Sequence, residues 1–133
     1  MPDRRPEQWA IAPYFFVADV VATAHFYRDT LGFKFDRFWG EPPAFCMVRR
    51  GGVTIMLSQI AEPSLVRPNN LVERGGGAWD AYVWVEDADA LHAEFVSKGA
   101  TIARGLCDQM YGCRDFDVLD CNGYRLCFGQ ELG

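Results

Sequence analysis

Histidine is scarce in this sequence: His25 and His92 are the only two in 133 residues. They are far apart in the chain, and both fall in segments with helical periodicity, so no histidine-rich metal cluster is written here. The five cysteines (Cys46, Cys107, Cys113, Cys121, Cys127) contain no Cys-x-x-Cys pair, and their number is odd. That argues against a zinc knuckle and against a closed disulfide framework. Buried free thiols in a reducing, cytoplasmic compartment are expected instead. Basic residues are outnumbered, with 13 Lys and Arg against 18 Asp and Glu and a net charge of −5. With no basic cluster to neutralise phosphates, nucleic acid is not an expected partner. No apolar run approaches the roughly 18 residues of a membrane helix. The short apolar stretch from Trp9 to Val17 carries Pro13 and no small-residue cleavage site, so a signal peptide is not expected either.

What the chain has is apolar bulk. Half of it is hydrophobic and 14 % is aromatic, enough to bury a sizeable core in one domain spanning residues 1–133.

The sequence repeats itself. Tyr14-Phe-Phe-Val-Ala-Asp19 reads like Tyr82-Val-Trp-Val-Glu-Asp87, and an amphipathic helical pattern follows each Asp. Val20, Ala24, Tyr27 and Leu31 precede Gly32 in one copy; Ala88, Leu91 and Phe95 precede Gly99 in the other. Asp at the N-cap and Gly after the C-terminus are the usual ends of a helix. Later, Gly52-Val-Thr-Ile-Met-Leu-Ser-Gln59 matches Gly123-Tyr-Arg-Leu-Cys-Phe-Gly-Gln130, each a turn followed by an alternating strand. Two further strands fit between helix and last strand in each half, at 33–38 and 44–49, then at 101–106 and 115–119. Each half is thus expected to be β-α-β-β-β: module one at about 9–60, a Pro/Asn/Gly-rich linker at about 61–77, module two at about 78–130. Neither half is large enough to hold a core by itself.

These motifs, with Phe26-Tyr27 and Leu31-Gly32-Phe33 after Asp19, resemble the vicinal oxygen chelate superfamily of glyoxalases, extradiol dioxygenases and bleomycin-resistance proteins. Tyr111-Gly-Cys-Arg-Asp-Phe116 followed by Asp120-Cys-Asn-Gly123 is similar to a run in bleomycin-resistance proteins, with Cys113 inserted and Cys121 in place of proline. The resemblance implies an α+β fold of two tandem modules forming a cupped mixed sheet, often completed across the two-fold axis of a homodimer. It also implies four metal-ligand positions, which the repeat places at Ala12, Met56, Asp80 and Cys127. Ala12 has no donor, and Met56 offers a thioether that hard cations avoid. The two histidines sit on helices covering the other side of the sheet. No metal, cofactor or catalytic residue is therefore expected. The resemblance then points to the bleomycin-resistance mode, in which a small aromatic or cationic, antibiotic-like molecule is held in the cup unchanged. A lyase or dioxygenase-type enzyme with a relocated metal, or with metal-free acid–base groups, is the alternative.

Period-two alternation names the cup lining. Tyr14 and Phe16 are in line with Ala12, Tyr82 and Trp84 with Asp80, Thr54 with Met56, and Arg125 with Cys127. Tyr111 and Arg114 are expected at the mouth, and Trp39 beside a rim loop. Asp80 and Arg125 either pair with each other or meet a ligand's charge. Cys127 has no base beside it and is expected to be an inert thiol. Asp115 and Asp117 face away from the core, toward the rim or water, and Arg49 and Arg50 are expected to be solvated.

Overall fold

The computed structural model describes residues 7, 9–72 and 77–133. Residues 73–76 of the expected linker, and 1–6 and 8 ahead of the first module, lie outside the described residues. The chain runs β1 (Tyr14–Val17), α1 (Val20–Asp29), β2 (Phe38–Trp39), β3 (Phe45–Arg50) and β4 (Val53–Gln59). After a 3₁₀ turn (Pro63–Leu65) and the short α2 (Asn69–Val72) come β5 (Ala81–Trp84), α3 (Ala88–Ser97), β6 (Thr101–Asp108), β7 (Cys113–Leu119) and β8 (Arg125–Glu131). Two four-stranded sheets result, ordered β1-β4-β3-β2 and β5-β8-β7-β6. In each, the first strand runs parallel to the last and the remaining pairs are antiparallel. This is the expected α+β architecture of two β-α-β-β-β modules.

The repeat extends to its hydrogen bonds. Asp19 caps α1 by accepting from the Ala22 N–H at 3.0 Å, and Asp87 caps α3 by accepting from the Ala90 N–H at 3.0 Å. Gln59 and Gln130, at matching places on β4 and β8, each take a further helix N–H, from Val20 and Ala88. These satisfy donors that a helix start leaves without partners.

The second strand departs from expectation. Only Phe38 and Trp39 pair with β3, plus one bridge between Lys34 and Arg49. Phe33 is buried edge-on against Tyr27, and Phe35 lies beside His25. Both rings are drawn toward α1, so the segment follows the helix rather than the sheet edge.

One core serves both modules. Phe15, Val17, Tyr27, Ile55 and Leu57 from the first join Phe95, Phe116, Leu126 and Phe128 from the second in a continuous buried cluster. Phe15 stacks on Tyr124 at 4.1 Å between centroids, and the Tyr27 hydroxyl donates to Asp120 at 2.6 Å. Arg50, expected to be solvated, instead makes a two-pronged ion pair with Glu94 of α3 at 2.7 and 2.9 Å. The planar guanidinium fork suits a carboxylate brought to it by the other module.

Candidate functional site: two open sheet faces

Each sheet buries one face under the helices and leaves the other open. Strand register fixes what the open faces carry. On the first sheet, Phe16, Ser58, Phe45 and Trp39 form one row, and Tyr14, Met56 and Met47 the next. Tyr14 meets Phe16 at 5.5 Å and Phe45 at 6.3 Å, and Trp39 meets Phe45 at 5.7 Å. The Arg37 guanidinium lies 4.6 Å from the Trp39 ring. Tyr14 and Phe16 remain 54 % and 48 % exposed. Thr54 stands on this face opposite Arg49. The face is thus aromatic and thioether-rich, suited to stacking and to soft, adaptable contact.

The second face is an ionic network. Its rows are Tyr82, Cys127, Asp117 and Arg104, then Trp84, Gly129, Asp115 and Cys107. Asp115 is fully buried and accepts from Arg104, Gln109, Tyr82 and Tyr111. Burial by itself raises a carboxyl pKa, but the hydrogen bonds from Tyr111, Gln109, Arg104 and Tyr82 together outweigh it and hold Asp115 below its ordinary value. Burial, followed by the bond to Asp115, pushes both phenols well up. Asp117, 1 % exposed, takes Arg104 at 2.8 Å and Arg125 at 2.7 and 2.8 Å. Tyr82 reaches Asp115 because position 129 is glycine: a Cβ there would overlap the phenol oxygen and ring.

Tyr14, Phe16, Trp39 and Thr54 therefore share one face, and Tyr82, Trp84, Tyr111 and Arg125 cluster at the other. Among the described residues no ring contact joins the two groups. A cleft of about 580 Å³ does run along the seam between modules, where Trp9, Ile11 and Ala12 meet Asp80, Tyr82 and Trp84.

Three expectations are corrected and one residue is added. Asp80 does not pair with the Arg125 side chain: its carboxylate accepts the backbone N–H groups of Asn69 and Arg125, both at 2.8 Å. Arg125 turns to Asp117 instead. Arg114 is not at the cup, because it alternates with Asp115 and so points to the helix side, where it binds Asp108 and Asp89. Asp115 and Asp117 are neither at the rim nor in water but buried beneath two arginines and two tyrosines. Arg104 was not expected at all. A register shift on each side of it in β6 breaks the alternation that would have announced it.

The four positions at which the resemblance implies a metal do not fit one. Ala12 has no donor, and Met56 is a thioether packed opposite Tyr14 and Met47. The Asp80 oxygens are already bonded to backbone amides. Burial, with the bond to Asp117, pushes the Cys127 thiol far up, away from the thiolate that a metal needs.

A model of the Glyoxalase/Bleomycin resistance protein/Dioxygenase superfamily matches residues 10–128. Among solved structures, TioX from Micromonospora sp. ML1 is similar with a TM-score of 0.73 at 22 % identity, covering 94 % of this chain and 100 % of that one. The bleomycin-binding protein of bleomycin-producing Streptomyces verticillus, solved with copper(II)-bleomycin, matches at 26 % identity, TM-score 0.65, over 97 % of this chain and 99 % of that one. A lactoylglutathione lyase from Agrobacterium tumefaciens matches at 18 % identity, TM-score 0.67, over 95 % and 96 %. No curated protein matches the sequence.

Proposed function

This chain belongs to the Glyoxalase/Bleomycin resistance protein/Dioxygenase superfamily, and from that premise we propose that it is a metal-free binding protein that sequesters a small, planar aromatic molecule of antibiotic type. The observation that carries the proposal is the unsuitability of Ala12, Met56, Asp80 and Cys127 as a ligand set, beside an exposed aromatic face that needs a partner. A Streptomyces protein of the same fold, solved with copper(II)-bleomycin, supports the binding mode. Tyr14, Phe16 and Trp39 would stack on the ligand. Thr54 would offer a hydroxyl beside them, and Tyr82, Trp84, Tyr111 and Arg125 would supply the opposite wall. Because no ring contact joins the two faces among the described residues of one chain, the cup would be closed in a cytoplasmic homodimer that sets the first face of one protomer against the second face of its partner. Asp80 is engaged by backbone amides, and the two buried aspartates are matched by two arginines, which supports an uncharged ligand over a cationic one. An uncharged aromatic surface is the better fit.

The test is metal content by elemental mass spectrometry after incubation with Mn, Fe, Co, Ni and Zn salts, followed by tryptophan-fluorescence titration with aromatic antibiotics. No retained metal with saturable quenching is the expected result. Near-stoichiometric retention of one ion would move the chain to the lyase and dioxygenase side of the superfamily.

A further inference from the structure

The internal repeat gives the molecule two equivalent junctions, where the turn before the last strand of one module meets the first strand and helix of the other. Counting back from the paired positions Met56 and Cys127, Val53 corresponds to Tyr124 and Gly51-Gly52 to Asn122-Gly123. Counting on from the helix caps Asp19 and Asp87, Thr23 corresponds to Leu91. One junction is filled. Asn122 accepts the Ala18 N–H at 2.9 Å through its oxygen and donates to the Thr23 hydroxyl at 2.9 Å through its nitrogen. The Tyr124 ring stacks on Phe15, and its hydroxyl donates to the Phe16 carbonyl at 2.5 Å.

At the other junction every filling group is missing. Glycines replace the amide, Val53 replaces the phenol, and the turn is shorter. What remains is a cavity of about 470 Å³ whose lining includes Gly51, Val53, Val83, Glu86, Leu91 and Phe95. Its receptor groups persist. The Glu86 N–H, counterpart of the Ala18 N–H, has no acceptor among the described residues. The Trp84 carbonyl, counterpart of that of Phe16, is turned away from β8, because Val85 is the residue whose N–H bonds Gly129. Val83 takes the place of Phe15 as the floor.

We propose that this cavity is a second small-molecule site, distinct from the open faces, for a phenol that carries a neighbouring carboxamide. The ring would lie on Val83 beside Leu91, the hydroxyl would donate to the Trp84 carbonyl, and the amide oxygen would accept from the Glu86 N–H. The chain itself displays this recognition chemistry at the filled junction. Charge narrows the class further. Arg50 is held by Glu94, and Glu86 and Asp87 stand at the wall, so a ligand carboxylate is disfavoured.

The test uses N-acetyl-tyrosinamide as probe, with amide chemical shifts of the full chain as readout. Shifts confined to Gly51–Val53 and Val83–Leu91 are expected. At least tenfold weaker binding is expected for N-acetyl-phenylalaninamide, which lacks the hydroxyl, and for N-acetyl-tyrosine, which carries a carboxylate. Val53→Tyr, which rebuilds the chain's own plug, is expected to abolish those shifts. If that variant fails to fold, Ala90→Leu, at an exposed position of α3 lining the same cavity, makes the same test. Equal binding of the three probes, shifts on the open faces instead, no shifts at all, or undiminished binding to the plugged variant would each overturn the proposal.

Discussion

The two open faces have the same backbone and opposite chemistry. Phe45 and Met47 stand on β3 where Asp115 and Asp117 stand on β7, and Met56 stands where Cys127 does. The first face leaves Tyr14 and Phe16 half-exposed. The second satisfies its own charges, carboxylate against guanidinium and phenol, before any ligand arrives. A duplicated scaffold has therefore kept its register and capping while its two surfaces diverged, one toward adhesion and one toward rigidity. Apolar side chains tolerate that divergence singly. Buried charges do not, because each requires its partners to change with it.

The largest effect expected from breaking this contrast is Asp117→Ala, which leaves Arg104 and Arg125 without their shared carboxylate. It should cost about 3–5 kcal/mol of stability, whereas Met47→Ala at the matching position should cost less than about 2 kcal/mol, because that site is only half-buried. Urea denaturation of both variants checks the pair, and equal losses would dissolve the distinction between the faces.

Two buried carboxyls sharpen it through pH. Burial pushes Asp120 up to about 6, even though Tyr27 and two backbone amides bond to it. The folded state therefore holds a proton that the unfolded state has released, so this group makes stability fall as pH rises from about 4 to about 6, by on the order of 2–3 kcal/mol. Asp115, held below its ordinary value, contributes with the opposite sign: its stabilisation is present above the unfolded carboxylate range and is lost as the pH falls below it. Asp120→Asn should flatten the slope between pH 4 and 6 in denaturation measured at each pH, and Asp115→Asn should leave that window unchanged.

A smaller effect is expected at Gly129. Replacement by alanine pushes Tyr82 off Asp115 and should cost about 1.5–3 kcal/mol, the range for losing one hydrogen bond to a charged acceptor. Ser58→Ala, at the matching place on β4, should change stability by less than about 0.5 kcal/mol. Phe16→Ala, a half-exposed ring, should cost only about 1 kcal/mol or less in stability. Its expected signature lies elsewhere, in a loss of aromatic-ligand binding of at least tenfold by fluorescence titration.

Much of this molecule was legible as sequence. The repeat, the Asp19 and Asp87 caps and the alternation along β1, β4, β5 and β8 are local properties, fixed by residues a few positions apart. They predicted two β-α-β-β-β modules and the side to which the side chains of β1, β4, β5 and β8 alternate. Three failures turn on contacts beyond the local chain. Arg104 was hidden by register shifts, β2 by rings drawn toward α1, and the Asp80 and Arg125 partners by a choice among nearby acceptors. Arg114 is different in kind, since its place followed from the same alternation that put Asp115 on the open face.

The sequence by itself thus determined the duplicated fold and the donor types at the four implied ligand positions, because donor chemistry and strand parity are carried by residue identity. Only the tertiary structure decided which charges are matched, which junction is plugged and which is open. Those outcomes depend on groups distant in the chain meeting at hydrogen-bonding distance, where angstroms rather than residue types select the partner.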